Sequence, residues 1–229
     1  MNWNTIWFVI FPYVAMILAV VATVYRAIFR PFTISSLSSQ LLERKKLYWG
    51  SIPFHWGIVV ILLMHLLALI FPWGILMWNA QLLRLYVLEL TGLALGLWSL
   101  GGLLVLLWRR LSTRRVLAVT SPMDLVVLLA LLVSVISGVI IATAYRFGSY
   151  WFTAIFTPYL LSLFVLQPRV DLVMPLPWII KLHVTNFFVL LVLFPFSRLV
   201  HIITYPLGYL LRPWQIVIWY RKKIASPGA

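Results

Sequence analysis

Four histidines are the residues of this 229-residue chain with the clearest capacity for chemistry, and they fall in two pairs, His55 with His65 and His183 with His201. Each pair sits in an otherwise apolar run. A neutral imidazole donates a proton from one ring nitrogen and offers a lone pair on the other, which makes it a common metal and haem ligand. Ligand-capable side chains inside a bilayer are costly, so their default reading is functional and each calls for a named partner. Cys is absent, which excludes thiolate-held iron–sulfur clusters and zinc, disulfides and the covalent attachment of c-type haem within this chain. A haem bound here is therefore non-covalent and held by histidine.

The elements that must position these imidazoles are membrane helices. Hydrophobic residues make up 64% of the chain, 10% are charged, and the mean hydropathy is +1.05, against about 45–50% apolar residues in soluble domains. Apolar runs of about 20 residues recur, the length an α-helix needs to cross a hydrocarbon core about 30 Å thick, and strand-period alternation is absent. This predicts an all-α membrane protein, one domain over residues 1–229, with five transmembrane helices at about 6–29, 52–73, 85–108, 123–145 and 177–203. The first run lacks a basic n-region and a small-residue cleavage site, so it reads as a permanent helix.

A formal charge of +14 would point to nucleic acid in a soluble protein. In a membrane protein it reads as an orientation signal, and no nucleic-acid partner is expected. Fourteen of the 18 Lys and Arg lie between helices 1 and 2 (Arg26, Arg30, Arg44, Lys45, Lys46), between helices 3 and 4 (Arg109, Arg110, Arg114, Arg115) and near the C-terminus (Arg198, Arg212, Arg221, Lys222, Lys223). The other side keeps Arg84, Arg146, Arg169 and Lys181. That split puts the N-terminus outside and the C-terminus in the cytoplasm of a cell membrane. The stretch 147–176 tempts a sixth span, but it contains Pro158, and a sixth crossing would carry the basic C-terminus outside. It reads as an interfacial or re-entrant excursion on the outer side. The tail after Arg221 reads as disordered.

Depth sets the histidine pairing. A helix rises about 1.5 Å per residue, so on helix 2, running inside to outside, His55 lies near the inner surface and His65 about 15 Å further out. Helix 5 runs back, with His183 about one turn below the outer surface and His201 about 27 Å deeper. His65 is thus level with His183 and His55 with His201, while crossed pairs would be more than about 10 Å apart vertically. Eighteen residues separate His183 from His201, five turns of a straight helix, so both share a face; His55 and His65 fall about 80° apart. Two b-type haems stacked between helices 2 and 5 would form an electron path across the membrane. The alternatives are interhelical hydrogen-bonding histidines, a proton pathway, which usually recruits intramembrane acids too, and zinc, for which the pairs lie too far apart to make one tetrahedral site.

Guanidinium forks match carboxylates bidentately, which makes Arg198, three residues before His201, and Arg110, which with Arg109 closes helix 3, candidate partners for haem propionates at the inner level. Snorkelling topology determinants are the other reading. An outer haem needs an electron donor, and quinol oxidation needs an apolar cleft, hydrogen-bond partners for two ring hydroxyls and a nearby acceptor. Arg84 at the outer mouth of helix 3 is a candidate quinol contact and Glu89, five residues on, a candidate proton acceptor. Arg84 also reads as an interface anchor. Protons released outside while electrons move inward would store about 2.3 kcal/mol per charge per 100 mV.

With these residues in hand, the chain resembles the gamma subunit of membrane-bound respiratory nitrate reductase, a di-haem cytochrome b, over nearly its whole length. The landmarks are Phe11-Pro12-Tyr13, Ser38-Ser39-Gln40-Leu41-Leu42-Glu43-Arg44-Lys45, His55 and His65, Arg109-Arg110-Leu111, Arg114-Arg115-Val116, Lys181-Leu182-His183, and the most specific run, Leu193-Phe194-Pro195-Phe196-Ser197-Arg198-Leu199-Val200-His201. The resemblance implies two haem b cofactors, His65 and His183 holding the one beside the quinol site and His55 and His201 the one facing the cytoplasm. It implies partners as well: an iron–sulfur beta subunit and a molybdenum alpha subunit that reduces nitrate, besides membrane lipid and the quinol pool. Arg84 stands where the family has a quinol-contacting lysine, Met64 stands where the family can have glycine, and the 147–176 loop is not similar.

The chain is therefore expected to be the quinol-oxidising electron-transfer subunit of nitrate reductase, with nitrate reduction itself on a partner. A related di-haem cytochrome b of a heterodisulfide-reductase-like or sulfite-reduction-associated membrane complex would use the same histidines. A haem-free transporter or assembly factor is the alternative from another class, and it predicts a colourless preparation.

Overall fold

Apolar sequence in lipid leaves the backbone one economical way to satisfy its own polar groups, the helix, and the described residues are helical wherever they are long and apolar. The structure is a computed structural model and describes residues 3–30 and 39–203. Ser38, Arg212, Arg221, Lys222, Lys223 and the tail after Arg221 lie outside the described residues. Five helices are long and apolar enough to cross a membrane: α1 (Trp3–Phe29), α2 (Lys45–Ile70), α4 (Leu82–Ser112), α5 (Pro122–Ala144) and the span Trp178–Phe196, of which α7 (Trp178–Leu193) is the regular part. Two shorter helices, α3 (Pro72–Asn79) and α6 (Thr157–Phe164), complete the set named here.

The ends differ from the hydropathy reading for identifiable reasons. Helix α2 starts at Lys45 and not near 52 because the Glu43 carboxylate accepts the amide protons of Lys46 (2.8 Å) and Leu47 (3.2 Å), capping a basic first turn that hydropathy discards. It stops at Ile70 ahead of Pro72, which opens α3. Helix α5 begins at a capping box, Ser121 Oγ accepting from the Asp124 amide while Asp124 accepts from the Ser121 amide, close to the expected start. The fifth span departs most. Regular helix ends at Leu193 and gives way to two 3₁₀ turns, Phe194–Phe196, which contains Pro195, and Arg198–Val200, before His201. A straight five-turn relation between His183 and His201 therefore does not hold.

Helix packing holds the bundle together. Helix α2 packs along α4, α4 packs on α5, and α7 packs on α5 and α1. The α2–α4 seam is lined by small residues, the lipid-phase route to close backbone approach. A Cβ placed on Gly102 would meet the Phe54 backbone nitrogen at 2.5 Å and the Gly50 carbonyl at 2.7 Å. At one end of this seam Arg109, only 2% exposed, donates to Glu43 Oε2 (2.8 Å), Ser39 Oγ (3.1 Å) and the carbonyls of Ser39 (2.9 Å) and Glu43 (2.8 Å). It clamps the chain before α2 onto the end of α4.

The 147–176 stretch is no loose surface loop. Phe147 (φ 64°) and Leu166 (φ 58°) adopt left-handed backbone conformations unusual for bulky residues and bracket a helical excursion. It runs through Gly148–Trp151, a π-helical turn at Phe152–Phe156, and α6. Phe156, Tyr159, Leu163 and Val173 are buried in one core with Phe8, Ala15, Ile141, Ile180, Val184 and Phe188. Tyr159 donates to the Phe8 carbonyl (2.9 Å), Tyr13 to the Leu163 carbonyl (3.1 Å) and Thr157 to the Ala68 carbonyl (3.3 Å). The excursion thereby covers the end of the bundle that carries His65.

Two predictions test these seams. Gly102→Ala forces two backbones apart and should cost about 1–3 kcal/mol, as overpacking does, whereas Gly101→Ala, with nothing within 4 Å of its added carbon, should be nearly neutral; thermal unfolding in detergent compares them. The second concerns Glu43. Burial pushes its carboxyl up, but the hydrogen bonds from the Lys46 amide, the Arg109 side chain and the Leu47 amide, with the Arg109 charge, outweigh burial and hold it below its ordinary 4.5. A depressed acid contributes stability that is full above its unfolded value and lost as pH falls through its folded one. Glu43→Gln should therefore be less stable than the parent near neutrality, the gap narrowing below about pH 4.5; a gap of constant size down to about pH 3 would sink the assignment.

Candidate functional site

Each imidazole is fixed by the backbone or a neighbouring helix in a way that determines its tautomer. Nδ1 of His55 lies 2.8 Å from the Ser51 carbonyl, Nδ1 of His65 2.8 Å from the Ile61 carbonyl, and Nδ1 of His201 2.6 Å from the Arg198 carbonyl. A carbonyl only accepts, so Nδ1 carries the proton in all three. His183 Nδ1 lies 2.8 Å from Ser137 Oγ. In the first three the lone pair is left on Nε2, and a metal-binding histidine characteristically donates its other nitrogen to such an acceptor.

Packing then brings two of the rings together. His55 and His201 have ring centroids 6.2 Å apart with planes at 59°. With a metal–imidazole bond of about 2 Å and about 1 Å more to each ring centre, that separation would leave room for one metal between the two rings. His65 and His183 lie within electrostatic range of each other, with the Phe152 ring edge-on to His65 at 5.0 Å. The His55–His201 approach is reached through the break at Pro195. Among the described residues no group of three or more His, Cys, Asp or Glu converges. Donors that come two at a time suit a porphyrin, which supplies four equatorial nitrogens itself and takes axial ones from protein. The donor set thus fits haem, and His55 with His201 and His65 with His183 are the residues that would hold it.

The arginines at the His201 end share one carboxylate. Arg110 Nη1 lies 3.1 Å from Asp124 Oδ2, and Arg198 Nε lies 3.0 Å from Asp124 Oδ1. Asp124 is nearly buried and is also the capping-box acid of α5. Two guanidinium groups on one carboxylate leave a net positive charge beside His201, with Arg198 partly exposed. Sequence alone does not single out Asp124; the Ser121-Pro122-Met123-Asp124 capping spacing is the available signal.

At the opposite end Arg84 and Glu89 are engaged separately. Arg84 is exposed and stacks over the Trp78 ring at 5.5 Å, while its carbonyl accepts from Trp78 Nε1. Glu89 accepts from the Ser149 amide (2.8 Å), Ser149 Oγ (2.6 Å) and the Gly148 amide (3.2 Å), so it fastens α4 to the covering excursion. Asn79 Nδ2 donates to Ser149 Oγ at 3.0 Å. Asn79 Oδ1 and Trp151 Nε1 are buried without hydrogen-bond partners among the described residues. Both were missed from sequence, because nothing local announces that α3 and the excursion meet.

Residues 4–220 match the nitrate reductase gamma subunit family. The chain is 33% identical to the nitrate reductase gamma chain of Bacillus subtilis (strain 168) over 218 residues, 93% of this chain and 96% of that protein. It is 30% identical to the respiratory nitrate reductase 1 gamma chain of Escherichia coli (strain K12) over 224 residues, again 93% and 96%. A nitrate reductase-like protein, NarX, of Mycobacterium tuberculosis is 33% identical over 221 residues, 90% of this chain but 32% of that longer protein. A match of this extent places the chain, with its five membrane-length helices, in the nitrate reductase gamma subunit family.

Proposed function

We propose that this chain is the di-haem cytochrome b subunit that oxidises quinol and hands electrons to the iron–sulfur and molybdenum subunits of a nitrate reductase. The observation that carries the reading is the common state of the four imidazoles: Nδ1 bonded, Nε2 presented, and two rings already 6.2 Å apart. Bound haem would supply one-electron redox chemistry at two levels of the membrane. Everything else falls to the chain.

The Nε2 atoms of His55 and His201 would bind at the cytoplasmic level, and those of His65 and His183 at the outer level. Arg110 and Arg198 keep a net positive charge at the inner level after sharing Asp124, which suits them to anchor propionates. Opposite them, the polar groups of Arg84, Glu89, Asn79 and Trp151 lie at the end covered by the excursion and offer donors and acceptors to a quinol's two hydroxyls. Glu89 accepts two hydrogen bonds at Oε1 and one at Oε2, so Oε2 keeps a lone pair that could take a proton. Phe152 packs its ring edge against His65 on the side of the excursion. The basic end, with Arg114, Arg115, Lys45 and Lys46, would face the soluble beta and alpha partners in the cytoplasm.

The test is spectroscopic. The subunit purified in mild detergent should show reduced-minus-oxidised b-type bands and two haems per chain. His65→Ala or His183→Ala should remove one, and His55→Ala or His201→Ala the other; a colourless parent, or loss of both by every variant, contradicts the pairing. Arg84→Ala should lower kcat/KM for quinol about tenfold or more with both haems retained, the effect of losing one charged hydrogen bond of about 1.5–3 kcal/mol.

A further inference from the structure

Three of the four histidines donate Nδ1–H to a carbonyl of their own helix or turn, but His183 reaches across to another helix. Its acceptor is Ser137 Oγ on α5, at 2.8 Å, and Ser137 is 2% exposed. The hydroxyl has one proton, and it is committed within α5: the Val133 carbonyl lies at 2.6 Å and the Ser134 carbonyl at 3.1 Å. With that proton donated inside α5, the oxygen's lone pairs face the ring and accept from Nδ1, and the Ser134 backbone of the same helix is a further partner of His183. The next residue, Gly138, makes the approach feasible, since a Cβ there would stand 3.3 Å from His183 Cε1. Less than one turn further along α7, Asn186 donates to the Ala130 carbonyl (2.8 Å) and Ser134 Oγ (2.6 Å). Helix α5, which carries no histidine, thus grips both the ring and the helix that bears it.

We propose that Ser137 is the positioning residue of His183: its Oγ fixes the Nδ1–H tautomer and aims Nε2 at the metal position shared with His65. The proposal rests on the haem reading above. An imidazole that donates to an acceptor through one nitrogen is a stronger ligand through the other. Loss of that acceptor weakens its donation to iron, which favours the reduced state and raises the potential of this haem alone. The His55–His201 haem, whose imidazoles hold carbonyls of their own segments, is untouched.

Redox titration of the purified subunit, following each haem spectrally, provides the test. In Ser137→Ala the reduced-to-oxidised ratio of the His65–His183 haem at fixed potential should rise severalfold, tenfold corresponding to about 59 mV for one electron. The other haem should keep its midpoint. Ser137→Thr, which retains the hydroxyl, should restore the parental value. Both haems retained with an unmoved outer midpoint in Ser137→Ala overturns the proposal and leaves the haem reading standing. Should Ser137→Ala not assemble, Ser137→Cys carries the test, because a thiol is a weak acceptor: an upward shift supports the proposal and an unmoved midpoint overturns it. A parent chain without haem at this level overturns the haem reading and this proposal with it.

Discussion

An imidazole in an apolar bundle has two nitrogens to satisfy, and the helix that carries it can satisfy only one. In this chain the donor nitrogen is always engaged, by a carbonyl one turn back for His55 and His65, by the Arg198 carbonyl for His201, and by a serine on another helix for His183. What is left on each ring is the second nitrogen. That residual demand is the constraint on which the proposed haem reading rests, because a second imidazole and a shared metal would meet it.

The bundle is organised so that the histidine helices need not pack tightly against each other. Helix α2 spends its close-packing face on α4 through Gly50, Gly57 and Gly102, and α7 rests on α5 and α1. The rings of His55 and His201 meet across the separation that results. Capping and ion pairing then hold each end in register. At the basic end Glu43 and Asp124 each serve a helix N-terminus and bind arginine at once, Arg109 in one case and Arg110 with Arg198 in the other. At the opposite end Glu89 plays the corresponding part toward Gly148 and Ser149.

These acids show where local reading stops. Glu43, Glu89 and Asp124 all stand near span ends in the sequence, and nothing in their neighbours states which distant group each will meet. Arg110 and Arg198 were legible as cations at the inner level, but their sharing of Asp124 depends on α4, α5 and the last span converging. The excursion between Phe147 and Leu176 was legible as something other than a span, since Pro158 and the charge distribution argued against one. Its burial against Phe8 and Ile141 was not, because an apolar stretch reads alike whether it faces lipid or protein.

By itself the sequence determined the five long helices and the two levels at which histidines can pair, because hydrocarbon thickness fixes helix length and helical rise converts residue number into depth. It did not determine how His201 reaches His55. That contact comes through a break at Pro195 and two 3₁₀ turns, where rise and phase differ from those of a continuous helix. Nor did it assign Ser137 to His183. Periodicity and hydropathy describe one helix at a time, whereas a hydrogen bond between α5 and α7 exists only once the crossing of the two is set by packing.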